Sequence, residues 1–311
     1  MKKFILAIAA AFMAASMVSA QDMAQATELY NNGATAISMK NWTEALDYFQ
    51  KALEMGKTIG ADADELVANC KNAIPGVSLE IAKDLIKDEK YDEAAAKLDE
   101  VAKIATEYEN AEVAEKANEL VPQMWMQKGV NALKIKDFAT AADGFAKSYA
   151  ADTTAGKTAL YLGQALGAQG KTDEAIEAFR HAAWNGEEAE AKEQVSNIYV
   201  RQANAALKGQ KFADAVKAAE KANSYVENAT AYLIAGQSSQ KLSKNADAIK
   251  YFEKYLEMKP DAKNAPAITF TVAALYQGAK NNAKALEFYK KVQDDPKFGA
   301  QAKQMIASLS K

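Results

Sequence analysis

The sequence has little of what enzymatic chemistry and disulfide bonding require. Its 311 residues include one cysteine, Cys70, and one histidine, His181. A disulfide within the chain and a Cys/His zinc site are therefore excluded, and nucleophilic catalysis with a histidine base would have to use His181. Neither a P-loop nor a GxGxxG motif occurs. We expect no catalytic activity, no metal and no cofactor, with Cys70 a buried thiol or an intermolecular bridge and His181 facing solvent.

Arginine and proline are also scarce. Arg180 and Arg201 are the only arginines among 38 basic residues, and the formal net charge is −3. Nucleic-acid surfaces use clustered positive charge and the forked donors of arginine, so the composition argues against nucleic-acid binding. Only five prolines interrupt a chain rich in alanine, lysine, glutamate and leucine, which favours helix throughout.

The first twenty residues have the pattern of a secretory signal peptide. Two lysines precede an apolar, alanine-rich run, and Val18, Ser19 and Ala20 offer small residues for cleavage before Gln21. An uncleaved membrane anchor is the alternative, but the run is short for a span. Because Gln21 is not a cysteine, we expect no lipoprotein. We predict an exported protein, periplasmic or outer-membrane-associated, with residues 1–20 removed and no stable membrane span afterwards.

Seven segments share one pattern of small and aromatic residues. Each has an alanine on the apolar face of a second helix: Ala45, Ala94, Ala141, Ala175, Ala215, Ala248 and Ala285. Twelve positions earlier the residue is always small: Gly33, Ala82, Gly129, Gly163, Ala203, Gly236 and Ala273. Four positions after the alanine stand Phe49, Leu98, Phe145, Phe179, Ala219, Phe252 and Tyr289. Small residues let helices approach closely, so we expect Gly163 to meet Ala175 and the aromatic to fill the space towards the neighbouring pair.

This pattern resembles the tetratricopeptide repeat (TPR) family, whose unit is a pair of antiparallel helices. The resemblance implies an all-α, right-handed α-α superhelix (a TPR-like solenoid) of about seven helix pairs plus a C-terminal capping helix, in one domain over residues 21–311. The repeats are predicted at 26–59, 75–108, 122–155, 156–189, 196–228, 229–262 and 266–296, with the capping helix at 297–310. Added helical stretches run into Pro75 and Pro122, where we expect a break or kink.

In the resembling family the first helices line an inner groove, which points to candidate binding residues. The first three repeats place apolar side chains there, including Tyr30 and Met126, unless the added stretches cover them. The last four repeats place amides there, with Tyr161 and Arg201 beside them. The candidate partner-binding residues are Tyr30, Met126, Tyr161, Gln164, Arg201, Asn204, Gln237, Gln240 and Gln277. Amides can both donate to and accept from an extended peptide backbone.

The sequence thus predicts a scaffold or adaptor of the cell envelope that binds another protein or peptide. The alternative is glycan or peptidoglycan-related binding, which exposure of Trp184, Tyr161 and Tyr30 on one surface would favour. Trp42 and Trp125 are expected to be structural, whereas Trp184 either is exposed or packs at a helix end. The segment Asp152-Thr153-Thr154 resembles O-glycosylation sites of some envelope bacteria, although a plain turn between repeats explains it as well.

Overall fold

The computed structural model describes the backbone of residues 2–310 and the side chains of residues 20–310. This part of the chain contains fifteen α-helices, one short 3₁₀ helix and no strand. Each helix packs against the next one within each of two compact units, Met1–Thr154 and Ala155–Lys311. The expected all-α fold of seven helix pairs and one final helix is confirmed.

The first unit contains three helix pairs. Its helices are α1 (Lys2–Ser38), α2 (Trp42–Ile59), α3 (Asp64–Lys87), α4 (Tyr91–Glu107), α5 (Ala111–Lys134) and α6 (Phe138–Ala151), with the 3₁₀ helix at Ala61–Ala63. The predicted signal peptide, residues 1–20, falls almost wholly outside the residues whose side chains are described. Among the described residues, no helix combines the length and apolar character that crossing a bilayer requires.

The second unit contains four helix pairs and the final helix. Its helices are α7 (Gly156–Ala168), α8 (Thr172–Trp184), α9 (Glu188–Lys208), α10 (Phe212–Tyr225), α11 (Ala229–Lys241), α12 (Asn245–Met258), α13 (Ala265–Gly278), α14 (Asn282–Lys291) and α15 (Gly299–Leu309). Helix α15 packs on α14 through the buried Ala302, with Met305 and Ile306 partly buried beside it.

The small residue of a first helix lies against the aromatic residue of its own second helix. A Cβ atom added to Gly163 would lie 2.7 Å from the ring of Phe179, and one added to Gly167 would lie 3.8 Å from the Ala175 Cβ. The same glycine–phenylalanine contact recurs at Gly33–Phe49, Gly129–Phe145 and Gly236–Phe252. The expected Gly163–Ala175 contact stays a prediction. The phenylalanine lies within its own pair, because a residue without a side chain leaves room for the ring between the two backbones.

The predicted breaks at Pro75 and Pro122 are also wrong, because both prolines lie inside continuous helices. Helix α3 begins at Asp64 and α5 at Ala111, so the added stretches are N-terminal extensions of first helices. The extension of α3 buries Leu66 and Cys70 in the core that includes α2. This packing offsets the hydrogen bond that a proline removes from the helix interior.

The turns within pairs use a left-handed residue that is usually not glycine. Lys40, Glu89, Lys136, Gln210, Ser243 and Lys280 have φ between 57° and 60°, and only the turn after α7 uses a glycine, Gly170, with φ 78°. The next residue donates its N–H back into the first helix, as Asn281 does to the Tyr276 carbonyl at 2.9 Å. This is the Schellman ending of a helix.

Replacing Lys280 by glycine should raise the free energy of unfolding by about 0.5–1 kcal/mol, since glycine adopts the left-handed region without the Cβ clash. The measurement is chemical denaturation followed by far-UV circular dichroism. Gly170→Ala is the matched control, and its free energy of unfolding should fall by a similar amount. A lower denaturation midpoint for Lys280→Gly would contradict the assigned turn.

The segment 152–154 forms a local turn at the end of the first unit. The Asp152 carboxylate accepts hydrogen bonds from the Thr154 N–H at 3.0 Å and from the Thr154 hydroxyl at 2.7 Å. These bonds lower the pKa of Asp152. The geometry is that of an Asx turn, which accounts for the acidic-threonine sequence. Glycosylation of Thr153 stays a prediction.

Candidate functional site

Three first helices of the second unit lie side by side, because α9 contacts both α7 and α11. Each carries a buried small residue that faces its second helix: Gly163, Ala203 and Gly236. The residue that follows is turned by about 100° around the helix axis, and in all three helices it is an amide. We call Gln164, Asn204 and Gln237 the amide row.

The amide row is accessible to a ligand. Asn204 is exposed, and Gln164 and Gln237 are half-buried. Within the described part of the chain, none of these three side chains has a hydrogen-bond partner. Each amide offers two N–H donors and a carbonyl acceptor. The row can therefore pair with the N–H and C=O groups of an extended backbone.

Further predicted residues flank the row one helical turn away. Tyr161 precedes Gln164 by three residues and is half-buried, and Arg201 precedes Asn204 by three residues and is exposed. Gln240 follows Gln237 by three residues and is also exposed. Residues three apart share a helix face, so the row has a wider polar margin. Among the described residues, Arg201 forms no ion pair and remains available to a carboxylate.

Gln277 has a structural role that the sequence did not indicate. Its Oε1 accepts a hydrogen bond of 2.8 Å from the hydroxyl of Tyr289, whose side chain is only 2% exposed. This bond satisfies a buried hydroxyl and links α13 to α14. The signal that could have shown it is the tyrosine at the aromatic position of this pair, where phenylalanine is usual in this chain.

The apolar positions of the first unit are mostly half-buried. Tyr30 packs edge-on against Phe49, with ring centroids 5.2 Å apart, and Met126 is partly exposed. Leu79, at the position of the second repeat that corresponds to Tyr30 and Met126, is only 3% exposed and belongs to the core. The extensions of α3 and α5 pack on the preceding second helices, α2 and α4. They contribute to the core beside those helices.

The tryptophans, the cysteine and the histidine lie largely where the sequence predicts. Trp125 is 7% exposed and Trp42 is packed on the core of the first unit, whereas Trp184 is 89% exposed. Cys70 is buried, and burial raises the pKa of its thiol to about 11, so it stays protonated near neutral pH. His181 is exposed, and its Nε2 lies 3.5 Å from the Glu177 carboxylate.

The second unit carries recognisable family motifs. Residues 161–183 and residues 200–265 each match a tetratricopeptide repeat model. The second unit contains tetratricopeptide repeats. Both matches lie in the unit that carries the amide row, and two of the three helix pairs of the first unit have the same glycine–phenylalanine packing. Proteins of this kind generally serve as interaction modules.

Several solved structures are similar at low scores. MamA is 21% identical over 58% of this chain and 94% of its own, with a TM-score of 0.37. The TPR2AB domain of yeast Sti1, in complex with pHSP90, is 18% identical over 93% of this chain and 99% of its own, with a TM-score of 0.34. YrrB, a TPR protein with an unusual peptide-binding site, is 17% identical over 58% and 91%, with a TM-score of 0.33. Scores this low support no functional assignment. No curated protein matches the sequence.

Proposed function

We propose that this TPR protein is a non-catalytic scaffold that binds an extended segment of another polypeptide along the amide row. The observation that carries the proposal is the repetition of one unpartnered amide at the same position of three adjacent first helices. An isolated exposed glutamine or asparagine is ordinary. Three in register form a line of donors and acceptors that a peptide backbone can follow.

The surroundings of the row support a peptide over a compact small molecule. Tyr161 adds an apolar ring, and Arg201 adds a positive charge that can hold a carboxylate of the partner. We propose that apolar contacts supply most of the affinity and that the amides set the register of the bound segment. Gln240 extends the polar margin along α11.

The exposed aromatic residues support glycan binding less well than the amide row supports polypeptide binding. Sugar binding needs aromatic faces that are open to the ligand, but the Tyr30 ring is in edge contact with Phe49. Tyr161 is half-buried. Trp184 is the one strongly exposed tryptophan of the described residues, and the amide row requires no sugar to explain it. We therefore favour the polypeptide.

Replacing Asn204 and Gln237 together by alanine should weaken partner binding roughly 5- to 100-fold, since each lost hydrogen bond contributes about 0.5–1.5 kcal/mol. The partner is first identified by cross-linking and mass spectrometry of native cells, and its affinity for purified variants is then measured by calorimetry. Helicity should be unchanged, because both side chains lie outside the core.

The matched control changes two exposed residues of second helices, Glu174→Ala with Asp247→Ala. It should leave the affinity unchanged. Equal affinity of the Asn204/Gln237 double variant and the parent protein would remove the amide row from consideration. Equal weakening by the control variant would show that the effect is not local to the row.

We propose further that the scaffold is exported and works in the bacterial envelope, in the periplasm or at the outer membrane. The support is the positive, apolar and small-residue order of residues 1–20. Protein purified from the periplasmic or outer-membrane fraction should start at Gln21 when its N-terminus is sequenced. Recovery in the cytoplasm with residues 1–20 intact would contradict this location.

A further inference from the structure

A cavity of about 680 Å³ opens between α9 and α10 of the second unit. Every residue that lines it belongs to these two helices. Its lining includes Ala206, Ala218, Tyr199, Lys217 and Lys221. We call this cavity the α9–α10 slot. It is large enough for an aromatic side chain.

Ala218 stands where the two following pairs carry an aromatic side chain. Ala218 follows Ala215 by three residues, as Tyr251 follows Ala248 and Phe288 follows Ala285. Those two rings pack on aromatic residues of their first helices: Tyr251 on Tyr232 at 6.5 Å and Phe288 on Tyr276 at 5.7 Å between centroids. In the fifth pair neither Ala206 nor Ala218 can fill that space.

Tyr199 does not close the slot. Its ring is stacked on Tyr225 with centroids 5.9 Å apart and an interplanar angle of 17°. The Lys221 ammonium lies 5.4 Å from the Tyr225 centroid. The Tyr199 ring is therefore held by Tyr225 at the slot.

Two unpaired lysines line the slot together with two acidic residues. Lys217 and Lys221 lie four residues apart on one face of α10, and within the described chain neither forms an ion pair. The two acidic residues at the slot are Glu220, which accepts a hydrogen bond from the Tyr251 hydroxyl, and Asp214. In the next pair, by contrast, Lys254 is paired with Glu257 at 2.9 Å.

The chain itself carries a side chain that fits this opening. Trp184 is 89% exposed, more than any other large hydrophobic residue described. It ends α8, where the helix dipole is negative, and it is followed closely by Glu187 and Glu190. Neither glutamate forms an ion pair in the described chain. An exposed indole beside carboxylates is complementary to an apolar slot beside ammonium groups.

We propose that Trp184 of one copy of this chain inserts into the α9–α10 slot of a second copy, with Glu187 and Glu190 facing Lys217 and Lys221. The chain thereby self-associates through a surface other than the amide row. If the contact is reciprocal, two identical insertions form one twofold-symmetric dimer. A contact built on one tryptophan per copy is small, so we expect a dissociation constant on the order of 100 µM.

Sedimentation equilibrium of the purified chain over a range up to about 500 µM tests the proposal, because that range brackets the expected dissociation constant. The parent chain should show a monomer–dimer equilibrium. Trp184→Ser should weaken it at least tenfold, and Ala218→Tyr should do the same by placing a ring in the slot. Circular dichroism checks that both variants fold. Ile135→Ser, which removes another exposed apolar side chain (78% exposed), is the matched control and should have no effect.

A charge exchange then tests the orientation. Lys217→Glu with Lys221→Glu, and separately Glu187→Lys with Glu190→Lys, should each give monomers. An equimolar mixture of these two variants should associate, because both contacts of the mixed dimer regain opposite charges. A parent chain that is monomeric over the whole range would overturn the proposal, as would dimerisation unaffected by Trp184→Ser and Ala218→Tyr, or a mixture that stays monomeric.

Discussion

Replacing Phe179 by alanine should lower the free energy of unfolding of the second unit by about 3–5 kcal/mol, as truncation of a buried aromatic residue does. Phe179 is 2% exposed and its ring lies directly against Gly163. The lost volume is enclosed by two helix backbones that cannot collapse easily. Chemical denaturation followed by circular dichroism measures the change.

A second substitution makes this prediction specific to the observed register. Gly163→Leu alone should destabilise by about 1–3 kcal/mol, because its side chain would overlap the ring. In the Phe179→Ala background the same leucine has room. The loss of stability in the double variant should therefore be about 1–3 kcal/mol smaller than the sum of the two single losses. Strictly additive effects would show that Gly163 and Phe179 do not face each other.

Ala175→Glu should be more damaging still and should unfold the repeat that contains it. Ala175 is fully buried and lies close to Gly167. A glutamate there would bury a charge without a partner, for which a loss above about 4 kcal/mol is expected. That is a large part of the stability of a typical domain, about 5–15 kcal/mol. The measurement is the thermal midpoint of the purified variant.

The neighbouring Glu174 provides the control for this experiment. It is exposed, so Glu174→Gln should shift the stability by less than about 0.5 kcal/mol. A thermal midpoint of Ala175→Glu equal to that of the parent chain would contradict the helix-pair assignment.

The sequence predicts the helix pairs well because their signal is repeated seven times. Small and aromatic residues at fixed spacing identify which residues share a face, and the structure places Gly163, Ala175 and Phe179 in the interface between α7 and α8. Spacing does not fix which turn of one helix meets which turn of the next. That depends on the turn between them, where Gly170 takes a left-handed conformation. The Phe179 ring, which was expected towards the neighbouring pair, therefore lies against Gly163 of its own pair.

The continuity of α3 and α5 could not be predicted from local rules. Pro75 is an unfavourable residue in a helix interior, yet tertiary packing of the residues before it, including Cys70, outweighs that preference. The family pattern also placed the starts of two repeats at Pro75 and Pro122, which reinforced the wrong prediction of helix breaks there. The apolar groove was likewise overestimated, because Leu79 is taken up by the core.

The amide row was visible in the sequence, but its accessibility was not. Periodicity places Gln164, Asn204 and Gln237 at equivalent helical positions, and only the structure shows their side chains without partners. It also shows that Gln277 satisfies Tyr289. Hydrogen bonding between side chains of different helices is a property of the packed state, so no periodicity could distinguish Gln277 from the others.

The most direct test of the proposed function is site-specific photo-cross-linking in the native cells. A benzophenone amino acid placed at position 237 or 204 should form a covalent adduct with one polypeptide partner, identified by mass spectrometry. The same probe at position 174, on the exposed side of α8, should not form that adduct. Adducts of equal yield at positions 174 and 237, or no adduct at 204 and 237, would contradict binding along the amide row.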